Sequence, residues 1–244
     1  MSEPTIARPG KAPQPSRRPR RWFLIGVAIV ALLAGLVPAW WFLWVPSWRP
    51  PLREGERYGI DVSAHQDTIN WERVARDGIA FVYVKATEGR DFTDERFEEN
   101  WRGAGEAGLD RGAYHFFTLC SLGADQAHHF LDVAPPERGA LAPAVDLELA
   151  GNCSARPGAT EVYAQLDAFL KLVEGAWGRK VVLYVGDDFE RVYPVRHQLD
   201  RPLWLRRFLL RPDFDGWLVW QLHGYAHVDG ITGGVDLNVM RASS

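Results

Sequence analysis

Cysteine is scarce in this chain of 244 residues: only Cys120 and Cys153 occur. One disulfide is the most it can make, and no Cys and His spacing of the zinc-binding kind is present, which argues against a structural metal site. In an oxidising compartment the two cysteines form a bond if their Cα atoms come within about 7 Å; otherwise they stay two thiols. A phosphate-cradling loop of the Gly-x-x-x-x-Gly-Lys type is also missing, and the glycines from Gly230 to Gly234 do not join a strand to a helix, so a nucleotide enzyme is disfavoured. Nor does the body carry a basic patch. Residues 1–50 hold seven Lys and Arg against one Glu, a net +6, and since the whole chain is at −3 the remainder stands at −9. Nucleic-acid binding lacks its electrostatic footprint there, and no cofactor or metal is called for.

One stretch lacks charge altogether. From Trp22 to Val45 there is no ionisable side chain, and Phe23 to Val37 is almost wholly aliphatic, enough at 1.5 Å per residue to cross a hydrocarbon core of about 30 Å. Arginines from Arg17 to Arg21 precede it, and Trp40, Trp41 and Trp44 follow, as a cytoplasmic flank and an aromatic belt would. The expected plan is a basic cytoplasmic tail over 1–21, a single-pass anchor over 22–45, a Pro-rich stiff linker over 46–57 and a periplasmic or extracytoplasmic domain over 58–241. The alternative is a signal peptide cleaved near Val37-Pro38-Ala39, leaving a secreted domain. Arg20-Arg21 ahead of Trp22-Phe23-Leu24 also looks like a twin-arginine export signal.

Within the body, short apolar runs alternate with helical stretches, which predicts an α/β architecture with a largely parallel sheet. Strands are expected at 58–62, 80–85, 112–117, 143–148, 181–185, 202–205, 217–222 and 235–237, and helices at 71–76, 95–107, 124–133 and 160–177. Eight strands with fewer helices suggest a flattened, irregular TIM-like β/α barrel. In such a barrel chemistry sits at the C-terminal ends of strands, and acids recur there: Asp61, Asp146, Glu148 and Asp236, together with Lys85 and Tyr114. Asp146-Leu147-Glu148 is the sharpest case. Two carboxylates at i and i+2 point to one face of a strand, about 7 Å apart along it. Acids so placed are solvated on an edge strand or, if buried, are paired or chemically employed.

The ordered stretches YGIDVSAHQ and INW (58–71), FVYVKATEG (81–89), DERFEENWRGAGEAGLDRGAYHFF (94–117), QAHHF (126–130), PAVDLE (143–148), VVLYVG (181–186), PLWL (202–205) and VWQLHGYAHVDGITGGVDLN (219–238) resemble the family 25 glycoside hydrolases, lysozymes that act as N-acetylmuramidases. The resemblance implies a barrel that cuts the β-1,4 bond between N-acetylmuramic acid and N-acetylglucosamine in peptidoglycan glycan strands. Carried over by residue, it places Asp61, Asp146, Glu148 and Asp236 in the groove with Glu148 as the acid. Glu148 should then occupy the drier, more negative place, which raises its pKa.

A second carboxylate as nucleophile or base and assistance by the substrate's own N-acetyl group are both possible; the second is preferred, with Asp146 orienting that group. Tyr114, Trp220, Gln221 and Lys85 are further candidates for holding sugar. After Pro202-Leu203-Trp204 the family usually continues with a small residue and an aromatic, whereas this chain reads Leu205-Arg206-Arg207-Phe208. Arg206 is therefore expected to narrow the groove or to bind an anionic glycan or peptide carboxylate, and a noncatalytic peptidoglycan-binding scaffold is the competing function. If the apolar segment is a retained anchor, membrane fractions will contain one band that carries both residue 1 and the body. A lighter soluble band without residue 1 would show cleavage instead.

Overall fold

The computed structural model describes residue 10, residues 18–213 and residues 216–242. The chain divides into two compact units, residues 1–45 and 46–244. In the first, helix α1 (Arg18–Trp44) has apolar side chains on all sides and carries Pro38 within it. It is long and apolar enough to cross a membrane, spanning about 40 Å at 1.5 Å per residue.

The second unit is built from strands β1 (Arg57–Val62), β2 (Phe81–Glu88), β3 (Phe92–Thr93), β4 (Asp110–Phe116), β5 (Ala144–Leu147), β6 (Val182–Val185), β7 (Leu203–Arg206), β8 (Trp217–Ala226) and β9 (Val235–Met240). Between them lie α2 (Trp71–Arg76), α3 (Phe97–Glu106), α4 (Gly123–Val133), α5 (Ala159–Trp177) and α6 (Asp187–Val192). The strands pair in the order β1-β9-β8-β7-β6-β5-β4-β2, and β1 pairs with β2 to close an eight-stranded barrel; β3 is a short hairpin partner on β2. All neighbours around the barrel are parallel except β9, which is antiparallel to both β8 and β1. A tight connection between β8 and β9 needs no crossover helix, which is why the last strand reverses.

Two-residue alternation divides the strand residues into two cores. Outward-facing Val82, Val84, Val145, Leu147, Leu183 and Val185 are buried beneath the helices with Phe97, Phe130, Phe169 and Val173. Inward-facing Phe81, Tyr83, Ala144, Val182, Tyr184, Trp204, Val219 and Met240 fill the barrel. The rings of Tyr83 and Trp204 lie 4.9 Å apart, and the Tyr83 hydroxyl donates to the Ala142 carbonyl at 3.0 Å. Room for these rings comes from missing side chains: a Cβ at Gly59 would lie 2.3 Å from the Phe81 ring, and one at Gly112 would lie 2.3 Å from the Tyr83 ring. Because each strand is buried on both faces, its sequence reads as an apolar run, and an inward acid stands out within it.

Several boundaries differ from those read in the sequence. Helix α6 (six residues) and hairpin strand β3 (two residues) were not foreseen. Strand β2 runs on to Glu88 through a register shift between Lys85 and Thr87, and β8 and β9 extend to Ala226 and Met240. The expected linker over 46–57 lies against the barrel. Its proline-rich backbone offers carbonyls that distant donors take up: the Tyr58 hydroxyl bonds to the Pro50 carbonyl, Arg211 to Pro51 at 3.1 Å, and the His227 amide to Pro46 at 2.8 Å. Arg49 reaches the Asp77 carbonyl at 2.6 Å, and Arg211 pairs with Glu56.

Cys120 and Cys153 are joined in a disulfide, with Cα atoms 6.2 Å apart and 33 residues of sequence separation. It ties the segment after β4 to the segment after β5. For a loop closed over 33 residues, chain entropy assigns about 3–4 kcal/mol to the bond. Replacing both cysteines by serine should lower the unfolding free energy by about that amount. Urea denaturation measures it, and an unchanged midpoint would show that the bond contributes nothing.

Candidate active site

At the C-terminal end of the parallel strands the barrel interior opens into a cavity of about 320 Å³ whose wall includes Asp61, Asp146, Glu148 and Asp236. Each acid arrives there for a local reason. Asp61 faces inward on β1 because Ile60 and Val62 face the helices, and Asp236 stands directly opposite it on β9. Asp146 shares the inward face of β5 with Ala144, while Glu148 sits one residue past the end of that strand. The four expected acids are thus brought together.

The acids differ in their partners. Asp61 Oδ1 accepts from Asn238 Nδ2 at 2.6 Å and from Gln221 Nε2 at 3.2 Å, and Asn238 is oriented by Trp204, whose Nε1 donates to Asn238 Oδ1 at 2.9 Å. The Tyr184 hydroxyl lies 3.0 Å from Gln221 Oε1 and 3.4 Å from Glu148 Oε1, so one proton serves two acceptors. By contrast, Asp146 Oδ1 is buried and has no hydrogen-bond partner. A buried acceptor left open in a cavity is costly unless something else completes it.

Burial, followed by the Asp236 charge, pushes Asp61 well above the ordinary carboxylate range. Burial, followed by the charges of Glu148 and Asp61, does the same to Asp146. Glu148 is also raised, first by desolvation and next by Asp188, with the Arg206 guanidinium and the Tyr184 hydroxyl opposing. Asp236 is raised by burial against the pull of Arg206. Glu148 is thus raised by burial and a neighbouring negative charge, and burial raises Asp61 and Asp146 as well. Glu148 sits nearer the mouth with a donor on one side and an acid on the other.

Asp188 is a contributor that sequence reading missed. Its Oδ2 accepts the amides of Leu149 and Ala150, each at 3.0 Å, and its Oδ1 accepts that of Phe189 at 2.8 Å. These bonds hold an anion beside Glu148. The signal was available, since Asp187-Asp188 follows β6 directly and occupies the same strand-end position as the other acids. Gly186, at the turn, leaves the space Glu148 uses: a Cβ there would lie 3.3 Å from Glu148 Oε1. Tyr184 and Trp204 also line the cavity and went unlisted because aromatic residues in strands read as core.

Of the residues expected to hold sugar, Tyr114, Gln221 and Arg206 line the cavity. Trp220 does not. It follows Val219 and precedes Gln221 on β8, so alternation turns it outward, where it is 1% exposed in the outer core and its Nε1 donates to the Arg207 carbonyl at 2.8 Å. Adjacent strand residues cannot share a face. Lys85 pairs with Glu88 at 2.7 Å, over the Phe116 ring, and reaches the four acids only through its charge on Asp146. Among the described residues, no group of three or more His, Cys, Asp or Glu is placed to hold a metal ion.

A closed β/α barrel with carboxyl groups of unequal environment converging at its C-terminal mouth has the equipment of an acid-catalysed glycosidase. Residues 60–233 match the family described as "Glycosyl hydrolases family 25". The chain is 37% identical over 194 residues to protein YegX of Escherichia coli (strain K12), covering 76% of this chain and 70% of that one. It is 30% identical over 200 residues to "Lysozyme M1" of Streptomyces globisporus, covering 76% and 68%. Its structure is similar to a family 25 glycosyl hydrolase from Bacillus anthracis, with TM-score 0.72 and 29% identity over 80% of this chain and 93% of that one. It is also similar to a bacterial lysozyme from Streptomyces coelicolor, with TM-score 0.71 and 29% identity over 79% and 95%. The chain belongs to glycosyl hydrolase family 25, and it is a glycoside hydrolase of the lysozyme type.

A carboxyl with a raised folded pKa binds its proton more tightly folded than unfolded. It therefore weakens the fold as the pH climbs from the ordinary carboxylate range to the folded value, and the loss is complete above that value. Asp146→Asn removes the ionisation while keeping the shape, so it should stabilise the protein at pH 7 by about 1 kcal/mol, with the gain vanishing below pH 4. Thermal unfolding at several pH values measures this, and a gain equal at both ends would refute the titration argument.

Proposed function

We propose that the cavity cleaves the β-1,4 bond between N-acetylmuramic acid and N-acetylglucosamine in peptidoglycan, with retention of configuration and with help from the substrate's N-acetyl group. The observation that carries this reading is the unpartnered, buried Oδ1 of Asp146, one side-chain step from Glu148 on the same strand face. In this reading Asp146 accepts the N–H of the acetamido group and sharpens its carbonyl oxygen as a nucleophile. Glu148 gives its proton to the bridging oxygen as that carbonyl attacks C1 and the C1–O bond breaks. A water molecule then attacks C1 from the vacated side, loses a proton to the Glu148 carboxylate and restores the acetamide, so the anomer is retained.

Asp61, locked by Asn238 and Gln221, and Asp236 serve this scheme as a fixed polar floor. Desolvation first, then the charge of Asp188 and, to a smaller extent, that of Asp236 favour a proton on Glu148 at mildly acidic pH. The anionic wall is balanced by Arg206, so Glu148 can still release its proton in the transition state. Helix α1 is proposed to anchor this domain in the membrane. Six Lys and Arg against one Glu over residues 1–21, a net +5 set before a span without ionisable side chains, support an N-terminus in the cytoplasm and a barrel on the wall side.

Glu148→Gln should abolish release of soluble muropeptides, with a fall in kcat of about 10²–10⁴, while the protein still sediments with sacculi. Asp146→Asn should lower kcat with little change in KM, the pattern of an interaction made mainly in the transition state. NMR of the first-formed product should show the retained anomer. An inverted product would rule out N-acetyl assistance, and sediments of wild-type protein on sacculi without new reducing muramic acid ends would mark a binder.

A further inference from the structure

Among the described residues no helix lies between β7 and β8. A second cavity of about 360 Å³ lies between the segment after α6 and the segment after β7. Its charged wall consists of Arg196, Arg206 and Arg207 with Asp187 and Asp213, and His197 joins them. Three arginines against two aspartates leave one positive charge in excess, at Arg206, on a body whose net charge is −9. Arg206 belongs to both cavities. On its inner side it bonds to Tyr184 and feels the charges of Asp236 and Glu148. On its outer side it continues into a row of cations held in position: Arg196 is fastened to Asp187 and to the Val185 carbonyl, each at 2.7 Å, and Arg207 to Asp213 at 2.6 Å. The Nε of Arg196 is buried with no partner.

We propose that this second cavity receives the carboxylate carried on the lactyl arm of the muramic acid at the cleavage site, with Arg206 as the shared wall and Arg196 and Arg207 as the receiving cations. The proposal rests on the muramidase reading above. If the muramic ring lies over Asp146 and Glu148, its lactyl arm has to leave the catalytic cavity through a wall, and Arg206 is the cation common to that wall and the cavity behind it. Planar guanidinium groups match carboxylate geometry with paired N–H donors. Pre-positioning by Asp187, Asp213 and the Val185 carbonyl reduces the ordering needed when a carboxylate arrives. The carboxylate has two sources of identical chemistry: the lactyl acid itself on strands without peptide, or an acidic residue of the stem peptide.

The test uses full-length protein in detergent and four substrates: peptide-free glycan strands, peptide-bearing strands, and each of these with its carboxylates converted to neutral methylamides. Wild-type protein should favour a carboxylate form over its amide by about tenfold in kcat/KM, the size of a charge-assisted bond to a carboxylate. A preference within the peptide-free pair identifies the lactyl acid, and one within the peptide-bearing pair identifies the stem. Arg206→Ala and Arg207→Glu should each reduce the preference to within about twofold; being a ratio on one protein, it is insensitive to a general loss of turnover. A wild-type preference below twofold in both pairs overturns the proposal. So does a preference that survives in both variants while Arg206→Ala shifts the acidic limb of the pH profile, because Arg206 would then act only on the proton of Glu148. No new reducing ends from any substrate with wild-type protein would fell the muramidase reading itself.

Discussion

Four carboxyl groups share one barrel mouth that neither water nor counter-charge can fully supply, and the rest of the site is arranged around that crowding. Asp61 and Asp236 face each other across an antiparallel pair, where like charges repel. Amides answer part of the repulsion: Asn238 and Gln221 donate to Asp61, and the indole of Trp204 keeps Asn238 turned the right way. Arg206 offsets the charge of Glu148 and Asp236 from the opposite wall. What is left unbalanced is Asp146, which lines the cavity and has a buried oxygen without a partner.

The barrel makes this arrangement stable enough to exist. Large rings below the acids, Phe81, Tyr83 and Trp204, close the interior to water from beneath, and the glycines at 59 and 112 exist to admit two of them. Removing such a ring from a packed core costs about 3–5 kcal/mol, which is comparable to a large part of a domain's net stability. The same low-dielectric floor raises the carboxyl pKa values. Packing and acid chemistry are therefore one design, since a wetter barrel would leave all four groups ordinary anions.

A different logic governs the outer rim. Outward residues of β2, β5 and β6 are aliphatic and share one buried core with the helices. Among the described residues no helix lies between β7 and β8, and arginines and aspartates gather beside the end of β7. Arg206, at the end of β7, lines both the inner cavity and the second one.

Much of this was legible in the chain. An acid within an apolar run, repeated at the ends of several runs, located Asp61, Asp146, Glu148 and Asp236, because burial on both faces makes any inward polar residue conspicuous. The uncharged span from Trp22 to Val45 was equally plain, since apolar length needs no tertiary contact to be read. The sequence did not reveal which of two neighbours on β8 faces inward: Gln221 does and Trp220 does not, a choice fixed by barrel closure. It did not show that the proline-rich segment 46–57 lies along the barrel, because its bonds come from Tyr58, Arg211 and His227, distant or differently aimed residues. Residue type and spacing alone determined that carboxylates would meet at one end of a barrel. Only the tertiary structure decided that one oxygen of Asp146 would be buried and unpartnered while Glu148 stood among Tyr184, Asp188 and Arg206.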